Sequence, residues 1–422
     1  MQGKLFYGLA RRWHHGRMET NAPRIRGLIA TMIAVGLMCR LAFVFLTPIF
    51  QAPDEEEHWS YIQKLESERS FPVMRGMGGD AEKDWEYEQP PLYYLLLAPV
   101  VGAAQGAGLG QEAMVHLFRL SSVMLWAVNV WLCTVLLRRL QVKDGFTWVF
   151  VLGMVTLLPT YTFVSSAINN DNLMAVFGSA LLCVLAARGT SVLRAVGLGL
   201  LLGLALLTKK AALVFFPAVV LLPLFDLWHN RTTWRPALVQ VVVPMTLALM
   251  MLTPWAWRDW HVYGTLNPEV LAAPRKVWPS MIYGVASAVH NFVKTFAAVS
   301  GLSNNIGYPL PIPGECLLLL ACVPGRWWPN RSPVAPRGDE GDSSTQLVFF
   351  LIAGINILLV VRFGYLLGMG QGRHVFAVLI PIALFLATRL RRLSFAGLEL
   401  AATGFWVVYA VVFTACSLAQ LR

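Results

Sequence analysis

Charge is scarce in this chain. Only 14% of its 422 residues are Asp, Glu, Lys or Arg, where soluble domains carry roughly a quarter. Hydrophobic residues make up 56%, in apolar runs of about 16 to 22 residues, the length an α-helix needs to cross about 30 Å of hydrocarbon. An ordinary soluble protein is excluded. Strand-like alternation of apolar and polar residues is also missing, so a membrane barrel is excluded and the spans are expected to be helices, which satisfy their own backbone groups in lipid. The cysteines (Cys39, Cys133, Cys183, Cys316, Cys322 and Cys416) fall in or beside apolar runs with no C-x-x-C pair. Neither a disulfide frame nor a zinc site is indicated. No repeat of fixed period is present, which disfavours an inverted-repeat transporter.

What charge there is has a sided distribution. The net +11 gathers in short clusters between apolar runs: Arg11, Arg12, Arg17, Arg24 and Arg26; Arg138, Arg139 and Lys143; Arg188 and Arg194; Arg231 and Arg235; Arg389, Arg391 and Arg392. That is the positive-inside pattern of cytoplasmic loops, and no continuous patch suits nucleic acid. The run 28–47 follows a basic N-terminus, but it is too long for a signal-peptide core, holds Arg40 and lacks an A-x-A-like site before Pro53. It is expected to be a retained first span. Further spans are predicted near 119–138, 145–165, 172–187, 192–208, 211–228, 236–257, 306–324, 346–367, 374–390 and 394–416, which makes about 11 transmembrane helices. With the N-terminus cytoplasmic, every basic cluster stays inside. Residues 91–106 are then a juxtamembrane or re-entrant helix rather than a span. The segment 48–118 becomes an acidic first extracytoplasmic loop, 258–305 a second long one, and 325–345 a cytoplasmic linker.

Four polar motifs lie on the outer side of this topology. Pro53-Asp54-Glu55-Glu56-Glu57-His58-Trp59 follows the first span. Asp54 and Glu57 have the spacing of a capping box, with acidic residues at the positive end of the helix dipole. Equally, a carboxylate at the membrane surface could take a proton from an acceptor hydroxyl, with His58 one turn on to orient it. In Glu86-Tyr87-Glu88-Gln89-Pro90-Pro91-Leu92-Tyr93-Tyr94 the paired prolines open a helix, and the glutamates and tyrosines could bind sugar hydroxyls. Asn169-Asn170-Asp171-Asn172 is either a capped turn or a polar contributor to a site. Lys209 and Lys210, and Arg373 and His374 after Gly370-Gln371-Gly372, run against the positive-inside trend. Cations so placed need an anionic partner, a lipid phosphate being one, unless they snorkel to headgroups. Arg40 and Arg362 lie within spans. Arg362, nearer the outer end, could join a phosphate site, while Arg40 has no evident partner.

The order of these motifs resembles the GT-C glycosyltransferases: Pro-Asp-Glu-x-x-His after the first span, Glu-x-Pro-Pro-Leu-Tyr-Tyr, Asn-Asp-Asn opening a later span, Thr-Lys, then Gly-Arg-His before a late span. The bacterial relatives of protein mannosyltransferases and the lipid A aminoarabinose transferases are the most similar branches, and the likeness runs from Pro53 to about Pro381. It implies an all-α polytopic fold forming one GT-C-like transmembrane domain over 1–422, with juxtamembrane helices in the first loop. It also implies a bacterial inner-membrane enzyme with a periplasmic active site. The activity implied is inverting transfer of a sugar from a polyprenyl-phosphate donor to an envelope glycan, lipid or protein acceptor. By the resemblance Asp54 matches the catalytic base and Glu55 its acidic neighbour. Glu88 matches the acid before the Pro-Pro-Leu helix and Asp171 the second-loop acid, while Lys209 and Arg373 match cations near the donor phosphate. His58, Tyr93, Lys210 and His374 complete the expected substrate-binding set. No metal ligand set is expected and a divalent cation is not required, because an anionic leaving group is stabilised by the cations themselves. The chain departs from larger members in having no sizeable soluble C-terminal domain, so acceptor recognition residing there is not expected. A lipid or polysaccharide transporter would want ionisable residues near mid-membrane and a repeat. A non-catalytic subunit of an envelope-glycan assembly system would not need Asp54, Lys209 and Arg373 together.

Overall fold

The computed structural model describes residues 22–75, 84–272, 275–298, 311–322, 343–391 and 397–420. The described residues are helical throughout, without a strand. Helix α1 (Ala22–Leu46) leads into α2 (Glu55–Glu68), a short 3₁₀ turn at Trp85–Glu88, and α3 (Leu92–Gly106). The long α4 (Gln111–Arg139) follows, then α5 (Gly145–Leu157), α6 (Pro159–Val164), α7 (Asn170–Ala186) and α8 (Val192–Thr208). A 3₁₀ segment, Lys210–Phe215, enters α9 (Phe216–Trp228), and α10 (Trp234–Tyr263) is the longest helix, at 30 residues. After α11 (Met281–Ala297) and α12 (Ile312–Cys322) come α13 (Ser343–Leu367), a second 3₁₀ segment (Gly372–Val378), α14 (Leu379–Leu390) and α15 (Leu398–Gln420).

Seven of these stretches are long and apolar enough to cross a membrane, and α3, α5, α7 and α8 are shorter apolar helices. The chain is a multi-pass, all-α membrane protein. Three details differ from the sequence expectations. The predicted span 145–165 breaks at Leu158, because Pro159 has no N–H to continue α5 and starts α6 instead. The helix expected over 236–257 continues to Tyr263 and carries Arg258 and Asp259 beyond the apolar stretch. Residues 343–345, expected in the linker, belong to α13, while 325–342 lie outside the described residues. Of the span expected at 306–324, residues 311–322 are described, and Ile312–Cys322 is an 11-residue helix.

The break at Pro159 also supplies the partner that Arg40 lacked in the sequence. A helix that stops early leaves its last carbonyls unpaired. Here Trp126 donates its indole N–H to the Val155 carbonyl at 3.2 Å, and Arg40 Nη1 donates to the Thr156 carbonyl at 2.7 Å. The guanidinium also donates to Ser165 Oγ at 2.8 Å and lies 4.0 Å over the Trp126 ring. Carbonyl dipoles and a ring face replace a carboxylate around this fully buried cation.

Two apolar cores result. The larger fills the helical bundle, running from Met32 and Phe43 through Val149, Leu182 and Leu206 to Phe413. The smaller lies under the first loop, where Trp59, Tyr61, Tyr87, Tyr93 and Tyr94 meet Phe118 and Ile168. The polar site described next sits between the smaller core and the ends of α7, α8 and α13.

Candidate active site

Asp54 occupies the N-cap position of α2, yet it makes no capping hydrogen bond. Its backbone is left-handed (φ 57°, ψ 13°), a conformation that Asp tolerates better than most residues. That turn directs the side chain away from the α2 amides and onto the Arg373 guanidinium, with which it forms an ion pair. Asp54 remains 31% exposed and Arg373 only 7%. The capped-turn reading is therefore not what the structure shows at Asp54. It does hold at Asn169, whose side chain accepts from the Asp171 amide at 2.8 Å.

Arg373 is delivered by the 3₁₀ segment Gly372–Val378, and Gly372 makes that delivery possible. A Cβ on residue 372 would collide with the backbone of Phe296 in α11, and the Gly372 amide donates to Thr295 Oγ1 at 2.7 Å. On the other flank, a Cβ at Gly178 of α7 would strike the Ala377 carbonyl. The segment is thus held between two helices at backbone contact distance.

Lys209 closes the group. It follows the last residue of α8 in an extended conformation, and its ammonium reaches Asp171 Oδ1 at 2.5 Å and Asn170 Oδ1 at 3.4 Å. His58, buried on α2, shares a 2.9 Å hydrogen bond with the Tyr94 hydroxyl, and its Nδ1 lies 3.9 Å from Glu86. Asp54, His58, Glu86, Asp171, Lys209 and Arg373 therefore form one cluster drawn from five separate stretches of chain.

The groups outside the spans are tuned by this company. Burial alone would raise the Asp54 carboxyl, but Arg373, with Lys209 further off, outweighs it and holds Asp54 below its ordinary value. Asp54 is an anion at neutral pH. Burial, reinforced by Asp54, raises Glu86 well above its ordinary value. Burial pushes His58 down to about 3, leaving a neutral imidazole. Two neighbouring carboxyls pushed in opposite directions are the arrangement that separates base from hydrogen-bond donor.

Several polar atoms of the cluster are unspent. Nε and Nη1 of Arg373 are buried without a hydrogen-bond partner, as is Oδ2 of Asp171. Buried guanidinium N–H groups left unpaired are costly, and their planar fork matches the oxygens of a phosphate or carboxylate. Asp54, His58 and Glu86 also place one potential ligand atom each within 4.8 Å of the others. In this structure Arg373 on Asp54 Oδ2 and the Tyr94 hydroxyl on His58 Nδ1 compete with a cation for two of these residues.

Of the remaining expected residues, Glu55, Glu88 and Lys210 take other partners, while Tyr93 and His374 stay beside the cluster. Glu55 is fully buried and accepts from Arg119 at 2.8 and 2.6 Å, from the Phe50 amide at 3.0 Å and from the Ile168 amide at 3.2 Å. Arg119 also donates to the Val44, Thr47 and Pro48 carbonyls at the end of α1. Glu88 lies 3.5 Å from Lys210, not beside Lys209 or Arg373, and Lys210 also donates to Asp259 at 2.8 Å. Burial and repulsion from Glu269 raise Glu88 to about 8. The Tyr93 ring packs edge-on to His58, the His374 ring edge-on to Phe363, and Arg362 is exposed on α13. Sequence reasoning missed Arg119 and Asp259. A lone arginine opening a span and an Arg-Asp pair closing one were the available signals.

No protein-family profile and no curated protein sequence matches the chain. Solved structures do match in shape. ArnT from Cupriavidus metallidurans bound to undecaprenyl phosphate aligns at 16% identity with a TM-score of 0.52, over 87% of this chain and 61% of ArnT. The apo state of the same protein gives a TM-score of 0.52 at 16% identity, over 87% and 60% of the two chains. The Archaeoglobus fulgidus oligosaccharyltransferase in complex with Zn and sulfate aligns at 14% identity with a TM-score of 0.49, over 92% and 53%. The chain thus spans about three-fifths of the ArnT length. Its fold is GT-C-like.

Proposed function

We propose that this protein is an inverting glycosyltransferase that moves a sugar from a polyprenyl-phosphate donor to an acceptor hydroxyl or amine at the outer membrane face. The observation that carries the reading is the buried, partly unpaired Arg373 guanidinium beside Asp54 and the Lys209–Asp171 pair. A GT-C-like fold in which ArnT binds undecaprenyl phosphate supports it.

In this reading the donor phosphate is held by Arg373 and Lys209 and satisfies the open N–H groups. It draws Arg373 away from Asp54, whose proton affinity rises as its cation partner leaves. The acceptor O–H or N–H lies against Asp54, which takes the proton as the acceptor atom bonds to the anomeric carbon. The bond from that carbon to the phosphate oxygen breaks on the opposite face, and the electron pair leaves with the polyprenyl phosphate. Neutral His58 and Glu86 orient the reacting groups by hydrogen bonding. Glu55 is a structural anchor, and Glu88 and Lys210 lie outside the reacting group. The acceptor is an envelope glycan, lipid or protein, and the membrane is the bacterial inner membrane, with the first loop periplasmic.

Reconstituted enzyme supplied with a polyprenyl-phosphate sugar tests this. General-base removal typically lowers rate by about 10² to 10⁴, so Asp54→Asn should insert normally and lose turnover on that scale. Arg373→Ala and Lys209→Ala should raise the donor KM or depress kcat, leaving the acceptor KM in place. Near-normal turnover by Asp54→Asn, or unchanged donor kinetics in both cation variants, would end the reading.

A further inference from the structure

Lys209 and Lys210 are consecutive, yet their ammonium groups serve different clusters. Lys209 is extended, and successive side chains of an extended chain point to opposite sides. Lys209 turns to Asp171, and Lys210 turns to Asp259 at 2.8 Å, Glu88 at 3.5 Å and the Leu266 carbonyl at 3.3 Å. Asp259 sits just before the last turn of α10, is fully buried, and holds a second cation, Arg258, at 3.1 Å.

Asp259 is also tied to the first loop. Arg258 donates to the Pro72 carbonyl and lies 4.3 Å over the Trp255 ring and 5.4 Å over the Tyr263 ring. The Tyr263 hydroxyl accepts from the Met74 amide at 3.0 Å. On the far side of Lys210, Glu88 is followed by Gln89, whose carbonyl accepts from the Tyr61 hydroxyl at 3.3 Å. Tyr61 stacks at 3.7 Å on Tyr94, the partner of His58. The end of α10, the start of the Lys210–Phe215 segment and the Glu86–Glu88 turn are therefore bolted together through one ammonium. That bolt lies one peptide from Lys209.

We infer that Asp259, acting through Lys210, is a positioning residue that sets where the Lys209 ammonium stands in the anion seat. The inference rests on the donor-site reading above. Lysine has a flexible four-carbon stem, so its placement depends on the backbone that launches it. Asp259 and Glu88 fix that backbone at the junction of α8 with the 3₁₀ segment. A 1 Å misplacement in a reacting constellation can lower rate by about 10², so this remote pair acts on the seat without touching it.

The test is epistasis measured on donor kinetics in the full-length reconstituted protein. Asp259→Asn should raise the donor KM about tenfold, inside the range that a 1 Å shift allows, with the acceptor KM unchanged. Lys210→Met should do the same, because it leaves Asp259 with Arg258 and leaves Glu88 able to take up a proton. The double variant should be no worse than either single one. On a Lys209→Ala background, Asp259→Asn should add nothing. A wild-type donor KM in both single variants overturns the inference, as does an effect that adds to that of Lys209→Ala. If Asp259→Asn fails to insert, Lys210→Met alone decides by the same two criteria. A Lys209→Ala enzyme with unaltered donor use would instead remove the anion seat itself, so the two failures are distinguishable.

Discussion

Asp54 and Glu55 are adjacent acids with opposite surroundings. Asp54 is partly exposed and faces one guanidinium, whereas Glu55 has both oxygens occupied by Arg119 and two backbone amides. Removing one partner of a buried ion pair destabilises by about 3 to 5 kcal/mol. Glu55→Gln should therefore lower the thermal unfolding temperature in detergent while the surviving folded fraction keeps its turnover per molecule. An unchanged unfolding temperature would deny Glu55 its anchoring role. The sequence offers both acids in one run, with no means of telling them apart. What separates them is the left-handed backbone at Asp54 and an arginine 64 positions away. Neither is written in local residue order.

Elements carry the next layer of constraint. The Gly-Arg-His signature was legible, but the reason for its glycine was not, because the obstructing backbone belongs to Phe296 in another helix. Gly372→Ala should push the 3₁₀ segment off α11 and carry Arg373 with it. Overpacking of this kind typically destabilises by about 1 to 3 kcal/mol, and here the larger effect should fall on donor use. A Gly372→Ala protein with wild-type unfolding temperature and donor KM would show that the close approach is dispensable. Apolar run lengths located the long helices well. Run length alone passed over the break at Pro159, although the proline itself marks it. What the sequence did not show is where the freed Val155 and Thr156 carbonyls find donors.

At the scale of the whole molecule, the positive-inside pattern of the basic clusters predicts that α2 and the acidic loop lie outside the cytoplasm. Ser67 is exposed near the end of α2. A cysteine placed there should react with a membrane-impermeant maleimide in intact spheroplasts. The six native cysteines must first be removed, Cys316 and Cys416 above all because they are exposed free thiols. Labelling only after lysis would invert the topology. The polar cluster was legible from the sequence as a set of separate motifs, and the structure brings residues of four of them together. Its division into two groups, one around Lys209 and one around Lys210, was not, because adjacent lysines look equivalent until the backbone between them is seen.

The Asp54–Arg373 contact joins residues 319 positions apart. Ribosomes add about 5 to 20 residues per second, so roughly 15 to 60 s separate the synthesis of the acid from that of its counter-cation. Through that interval most of the bundle can insert and settle around an Asp54 whose own guanidinium has not yet been made, although Glu55 already has Arg119. The site is thus among the last things the nascent chain completes. A message that ends before codon 373 would yield an inserted bundle of the earlier helices with its Asp54 carboxylate permanently unmatched.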